Sequence, residues 1–293
     1  MATVIELPLD VFQGLAEPDW CPGCGDFGVL KAVKMAASKL GIQPKDLLLV
    51  SGIGCSSNLP GFMHAYGVHS LHGRAVAVAS GAKLANHDLN VVITGGDGDG
   101  YGIGIGHFIH AMRRNLDLTY VVMNNQIYGL TTGQASPTTM KTMRTKSTPR
   151  GNVELPVNPI ALALVSGATY VARGFSGEPN HMADLIAGGI AHRGFALVDV
   201  FSPCVTYNKL NTYPWFKQRV YKLEALPAYD PADAESALQK SFEWGDKIPL
   251  GLFFKDEQST YEDSEPALKQ GPLVRQKLGL DRKLFESLVD ELI

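Results

Sequence analysis

The sequence predicts an α/β fold with a mainly parallel sheet and helices on both faces. Three observations carry this: short apolar runs without polar alternation, helical stripes between them, and Gly- or Asn-rich turns directly after them. Phe27 to Leu40 sets Leu30, Val33, Ala37 and Leu40 on one helical face, closed by Gly41. Asp46 to Val50 is a short apolar strand followed by Gly52, and the alanine-rich stretch Arg74 to Leu84 predicts a helix. Asn90 to Thr94 is the next strand, and the run Gly95-Gly-Asp-Gly-Asp-Gly-Tyr-Gly102 follows it. Ile105, Phe108, Ile109 and Met112 mark a helix starting near Ile103, and Leu118 to Met123 another strand. Helices are expected over Pro159 to Ser166 and Pro179 to His192, with strands at Thr169 to Ala172 and Ala196 to Val200. Beyond about Leu226 periodicity weakens and acidic residues gather. Residues 1–225 therefore read as the main domain, and 226–293 as an extension with a terminal helix near Asp281 to Leu292, expected to pack on a partner subunit.

Ligands in such sheets bind at the carboxyl ends of the strands. The glycine run, Asn124-Asn125 and Cys204 all follow predicted strands and are expected to share one rim. A net charge of -3 offers no general attraction for nucleic acid or an anionic membrane. The start, Met-Ala-Thr-Val-Ile-Glu-Leu-Pro, has no signal-peptide pattern, and no stretch reads as a membrane span. The expected location is the cytoplasm, where thiols stay reduced and free to bind metal.

The glycine run matches no register of a bare dinucleotide loop. Asp97 and Asp99 would repel a pyrophosphate unless a cation lay between, and Mg²⁺ commonly joins carboxylates to phosphate oxygens. The next helix would direct its N-terminal amides at the same phosphates. An EF-hand fails, because Tyr101 and Phe108 occupy ligand positions. A plain strand–helix turn capped by aspartates also fits the run. About thirty residues on comes Val122-Met-Asn-Asn-Gln-Ile-Tyr-Gly129. A Gly-Asp-Gly followed at this distance by Asn-Asn resembles the thiamin diphosphate motif. That likeness implies Mg²⁺ held by Asp97, Asn125 and the carbonyl of Ile127.

The chain has four cysteines, each beside Gly or Pro: Cys21 and Cys24 in a Cys-x-x-Cys pair, then Cys55 and Cys204. Zinc and iron-sulfur both fit such a set, as do unrelated core thiols.

With both motifs placed, the sequence strongly resembles the beta subunits of 2-oxoacid:ferredoxin oxidoreductases, from Trp20-Cys-Pro-Gly-Cys-Gly-Asp26 to about Leu223. The resemblance includes Gly-Ile-Gly-Cys-Ser56, Leu71-His-Gly-Arg74, Asn125-Gln-Ile-Tyr-Gly-Leu-Thr131, Gly133-Gln-Ala-Ser-Pro-Thr138 and Asn211-Thr-Tyr-Pro-Trp-Phe216. Tyr128 to Thr138 and the segment around Trp215 look most like the 2-oxoglutarate branch. Thr132 departs from the pattern, since Lys is expected there in many relatives, and this leaves substrate choice open.

The resemblance implies a thiamin diphosphate-binding fold and one [4Fe-4S] cluster on Cys21, Cys24, Cys55 and Cys204. It also brings Ile53, Gly54, Cys55, Ser56, His72, Gly73, Gly98, Asp99, Gly129 and Leu130 to the cofactor, with His72 as the catalytic candidate. The implied reaction turns 2-oxoglutarate and coenzyme A into succinyl-CoA and CO₂, passes electrons to ferredoxin, and can reverse to reductive carboxylation. No glutamate lies in these motifs, so the group that activates the cofactor is expected from an alpha subunit, in a heterodimer or its dimer. Rival readings are the same chemistry on pyruvate or other 2-oxoacids, a zinc-stabilised binding protein, and a thiamin decarboxylase without redox work.

Overall fold

Runs apolar on both sides become strands buried on both faces: Leu47–Ser51 (β1), Asn90–Gly96 (β3), Leu118–Asn124 (β4), Tyr170–Phe175 (β5) and Phe195–Phe201 (β6). They join Tyr66–His69 (β2), Val220–Lys222 (β7) and Ile248–Lys255 (β8) in one sheet ordered β2-β1-β3-β4-β6-β5-β8-β7. The computed structural model describes residues 5–277 and 279–292. The first four residues, half of the stretch read for a signal peptide, lie outside them, as do 278 and 293.

All pairings are parallel except β5 with β8, which run antiparallel with a bulge between Val171 and Ala172. Asp26–Lys39 (α1) precedes the first strand, and the crossovers carry Ala75–Ala85 (α2), Ile105–Arg114 (α3), Pro159–Val165 (α4) and Pro179–Ala191 (α5). Successive strand residues point to opposite faces. Leu47, Leu49, Val121, Val198 and Val200 meet α1 and α5 on one side. Leu48, Val50, Ile93, Tyr120, Val122 and Leu197 meet α2, α3 and α4 on the other. The expected two-sided, mainly parallel sheet is therefore present.

Three elements differ from expectation. The strand β2 is exposed along its whole length, as an edge strand can be, so no apolar run announced it. The strand β8 falls beyond residue 225 yet completes the sheet, with Ile248, Leu250 and Phe253 fully buried. The helix after β3 starts earlier than Ile103, because Gly98–Ile103 already coils as a π-helical turn leading into α3. Among the described residues no helix is long and apolar enough to cross a membrane. The terminal helix runs over Arg282–Asp290.

Candidate active site

Four adjacent strands, β1, β3, β4 and β6, end on one rim, and each feeds a loop bearing chemistry. After β1 come Gly52 to Ser56, after β3 the glycine run, after β4 Asn125 to Leu130, and after β6 Ser202 to Asn208. The rim expected from the strand pattern is there.

Two adjoining cavities open on it. One is walled by Cys21, Cys24, Cys55 and Cys204, together with Trp20, Asn58 and Tyr207. The other is walled by Asp97, Asn125 and Ile127, by Ile53, Gly54, Cys55 and Ser56, and by His72, Gly98, Asp99, Tyr128, Gly129, Leu130 and Thr131. Cys55, Asn125, Gly129 and Leu130 belong to both walls. A Cβ on Gly129 would lie 3.7 Å from both Cys55 Sγ and Cys204 Sγ, so the two sulfurs flank one glycine.

Two of the thiols, Cys24 and Cys55, sit in a poor solvent for charge. Burial pushes Cys55 up to about 11, helped by Asp26 and the neighbouring thiols. Cys24 rises further, by burial first and the Asp26 carboxyl second. Asp26 is itself buried and pushed up to about 6, with Ser202 Oγ donating to it at 2.6 Å. Neutral thiols are favoured until a cation arrives to hold thiolates. Trp20 Nε1 donates to the Cys55 carbonyl at 2.7 Å, which fixes the shared wall.

Asp97 is 1% exposed, and burial pushes it up to about 6. Its Oδ2 accepts from Ser136 Oγ and Thr138 Oγ1, both at 2.5 Å. Asn125 Oδ1 accepts from the Ile127 amide at 3.0 Å, and Asn208 Nδ2 holds the Asn125 carbonyl at 3.0 Å. Gln126 between them takes a left-handed φ of 60°, and Asn125 and Ile127 on either side of it both line the cavity.

Asp99 has a different task. Its Oδ1 accepts from the amides of Ile53 at 3.0 Å and Gly73 at 2.7 Å, knotting the β1 and α2 loops to the glycine run. His72 Nδ1 comes within 2.8 Å of the same oxygen without hydrogen-bond alignment. Position 52 must lack a side chain, because a Cβ there would fall 1.9 Å from Asp99 Oδ2. Gly98 meets a similar limit: a Cβ would strike the Tyr128 ring at 2.1 Å, and Tyr128 OH donates to the Gly98 carbonyl.

Every residue expected at the cofactor lines the second cavity except Gly73, which contributes through its bond to Asp99. Sequence reasoning gave no role to Trp20, Ser136, Thr138 or Asn208. Ser136 and Thr138 lie in the quoted stretch Gly133 to Thr138, whose hydroxyls were the available signal.

Residues 52–200 match the thiamine pyrophosphate enzyme, C-terminal TPP binding domain, and residues 204–270 match the C-terminal family of the pyruvate ferredoxin oxidoreductase beta subunit. The 2-oxoacid:ferredoxin oxidoreductase subunit beta of Saccharolobus solfataricus is 50% identical over 256 residues, 83% of this chain and 84% of the relative. The 2-oxoglutarate synthase subunit KorB of Archaeoglobus fulgidus is 40% identical over 231 residues, 79% of each chain. A solved 2-oxoglutarate:ferredoxin oxidoreductase from Magnetococcus marinus, with 2-oxoglutarate, coenzyme A and succinyl-CoA bound, superposes with a TM-score of 0.89 at 41% identity, covering 96% of both chains. On this sequence match, over a fold and rim that agree with it, the chain belongs to the family of 2-oxoacid:ferredoxin oxidoreductase beta subunits.

Proposed function

We propose that the chain is the beta subunit of a 2-oxoglutarate:ferredoxin oxidoreductase, converting 2-oxoglutarate and coenzyme A to succinyl-CoA and CO₂ while ferredoxin takes the electrons. The reaction reverses to reductive carboxylation. The observation that carries this reading is the common wall, Cys55, Asn125, Gly129 and Leu130, between the cysteine-lined cavity and the Asp97 cavity. The substrate follows from likeness to relatives that act on or bind 2-oxoglutarate.

The donor set fits the groups implied. Asp97, Asn125 and Ile127 line one cavity, and their carboxylate, amide and carbonyl oxygens are hard donors of the kind Mg²⁺ and a diphosphate would need. Gly98 and Asp99, at the start of the π-helical turn, line the same cavity. Cys21, Cys24, Cys55 and Cys204 offer a four-sulfur set for one [4Fe-4S] cluster. Among the described residues no three His, Cys, Asp or Glu side chains converge on a point that could hold one metal ion.

Thiamin diphosphate, when bound, supplies the carbon nucleophile and the cationic ring that takes up the electrons of the departing carboxylate. The chain's own residues hold and orient. Ser136 and Thr138 aim the Asp97 carboxylate, Asn208 pins the Asn125 loop, and the Asp99 knot sets His72 and Ile53 on the cavity wall. His72 is the candidate to contact the reacting groups.

No glutamate lines either cavity among the described residues. The carboxylate that activates the cofactor is therefore assigned to an alpha subunit, with which the chain would form a heterodimer or its dimer. Purified alone and loaded with cluster, Mg²⁺ and thiamin diphosphate, the chain is expected to show no coenzyme A-dependent turnover of 2-oxoglutarate. Adding the alpha subunit should restore it, measured by reduction of ferredoxin. Turnover by the isolated chain would overturn this division of labour.

A further inference from the structure

A dicarboxylate substrate poses a charge problem at this site. Neither cavity is lined by a lysine or arginine, whereas Asp97 and Asp99 are both on the wall. Residues 130–150 carry Lys141, Arg144, Lys146 and Arg150 and no acidic side chain. All four cations are exposed, and none is in an ion pair among the described residues.

One of the four is fastened beside the rim. Thr131 lines the Asp97 cavity, and Lys146 Nζ donates to the hydroxyl of the next residue, Thr132, at 2.6 Å. The backbone is stapled at the same place: the Lys146 amide donates to the Gly133 carbonyl at 2.8 Å, and the Ala135 amide to Ser147 Oγ at 2.9 Å. Thr132 holds a φ of 76°, a left-handed conformation that β-branched residues rarely adopt. Such strain persists where the surroundings enforce it, often at binding sites. The ammonium has three donors and spends one on Thr132, which leaves two for an anion.

We propose that Lys146, held by Thr132, recognises the second carboxylate of the 2-oxoacid and so selects a dicarboxylate over a monocarboxylate. Position 132 presents a hydroxyl that holds the cation of the neighbouring loop. This inference rests on the 2-oxoglutarate reading above and deepens it.

The test uses the complete alpha–beta complex and two substrates of equal chain length, 2-oxoglutarate and 2-oxopentanoate. In Lys146→Ala the ratio of their kcat/KM values should fall about 10- to 100-fold, the effect of losing one hydrogen bond to a charged group. Lys146→Arg should restore most of the ratio. Equilibrium binding of glutarate, which cannot react, should weaken by a similar factor in Lys146→Ala when followed by calorimetry. A ratio unchanged in Lys146→Ala overturns the proposal, as does an equal loss on both substrates. A change of ratio in Arg74→Ala instead assigns the task elsewhere and overturns it too. If the unaltered complex fails to turn over 2-oxoglutarate, the substrate reading itself falls, which is a separate result.

Discussion

Replacing Asp97 with alanine is expected to abolish Mg²⁺-dependent binding of thiamin diphosphate. Removing an outer partner of a metal ligand already costs about 10- to 100-fold in affinity, so loss of a carboxylate ligand should exceed about 100-fold. The cause is specific to this position. Asp97 would provide the only carboxylate among the assigned Mg²⁺ ligands, because Asp99 spends Oδ1 on the amides of Ile53 and Gly73. The fold should survive, because Thr138 Oγ1 can still donate to Asn124 Oδ1 at 2.9 Å, and Ser136 Oγ keeps Thr139 Oγ1 at 3.2 Å. Ser136→Ala, which removes one of the hydroxyls that aim Asp97, should weaken binding by about 10-fold, at the lower end of the outer-partner range. Calorimetric titration with and without Mg²⁺ reads both. Unchanged affinity in Asp97→Ala would remove the carboxylate from the metal site.

The second large effect is expected at Cys204. Cys204→Ser should lose the cluster, seen as loss of iron and of visible absorbance after anaerobic purification. Thiamin diphosphate affinity should change only a few-fold, because Cys204 walls the sulfur cavity and not the Asp97 cavity. Cys55→Ser should impair both, because that residue walls both. The Tyr207 amide lies 3.5 Å from Cys204 Sγ, a donor suited to a sulfur that carries charge. A Cys204→Ser protein that keeps its iron, or an unaltered protein that is colourless and zinc-loaded, would sink the cluster assignment.

Much of the fold was legible because central strands of a parallel sheet bury both faces. Leu118 to Met123 can be little else, and it is fully buried as most of β4. The edges were harder. Exposed β2 takes its place from the partner strand, with Leu48 to Ser51 setting its register against Tyr66 to His69. The strand β8 contains Pro249 and Gly251, residues that weaken a strand signal, and it holds its place by pairing with β5. At the site, the residues expected to touch a ligand stood out by type: thiols, carboxylates and glycines. The residues that orient them did not. Ser136 and Thr138 reach Asp97 from about forty residues away, and Trp20 reaches Cys55 across 35. A hydroxyl or an indole carries no local mark of such a partner, since only the closed chain brings them together. The left-handed Gln126 and Thr132 were invisible for a related reason, as tertiary contacts impose those conformations against intrinsic preference.

If the four thiols hold one cluster as proposed, their spread along the chain also sets an order of assembly. Cys21 and Cys24 leave the ribosome early, but Cys204 and the Asn208 that pins the neighbouring loop emerge only after six strands have been made. Iron delivered to a nascent chain would meet an incomplete set of thiols and be held poorly or in the wrong place. On the proposed ligand set, cluster assembly would therefore wait until the chain has been made at least through Asn208. The high proton affinity of Cys24 and Cys55 suits that interval, since protonated sulfur is slow to react with stray metals and oxidants.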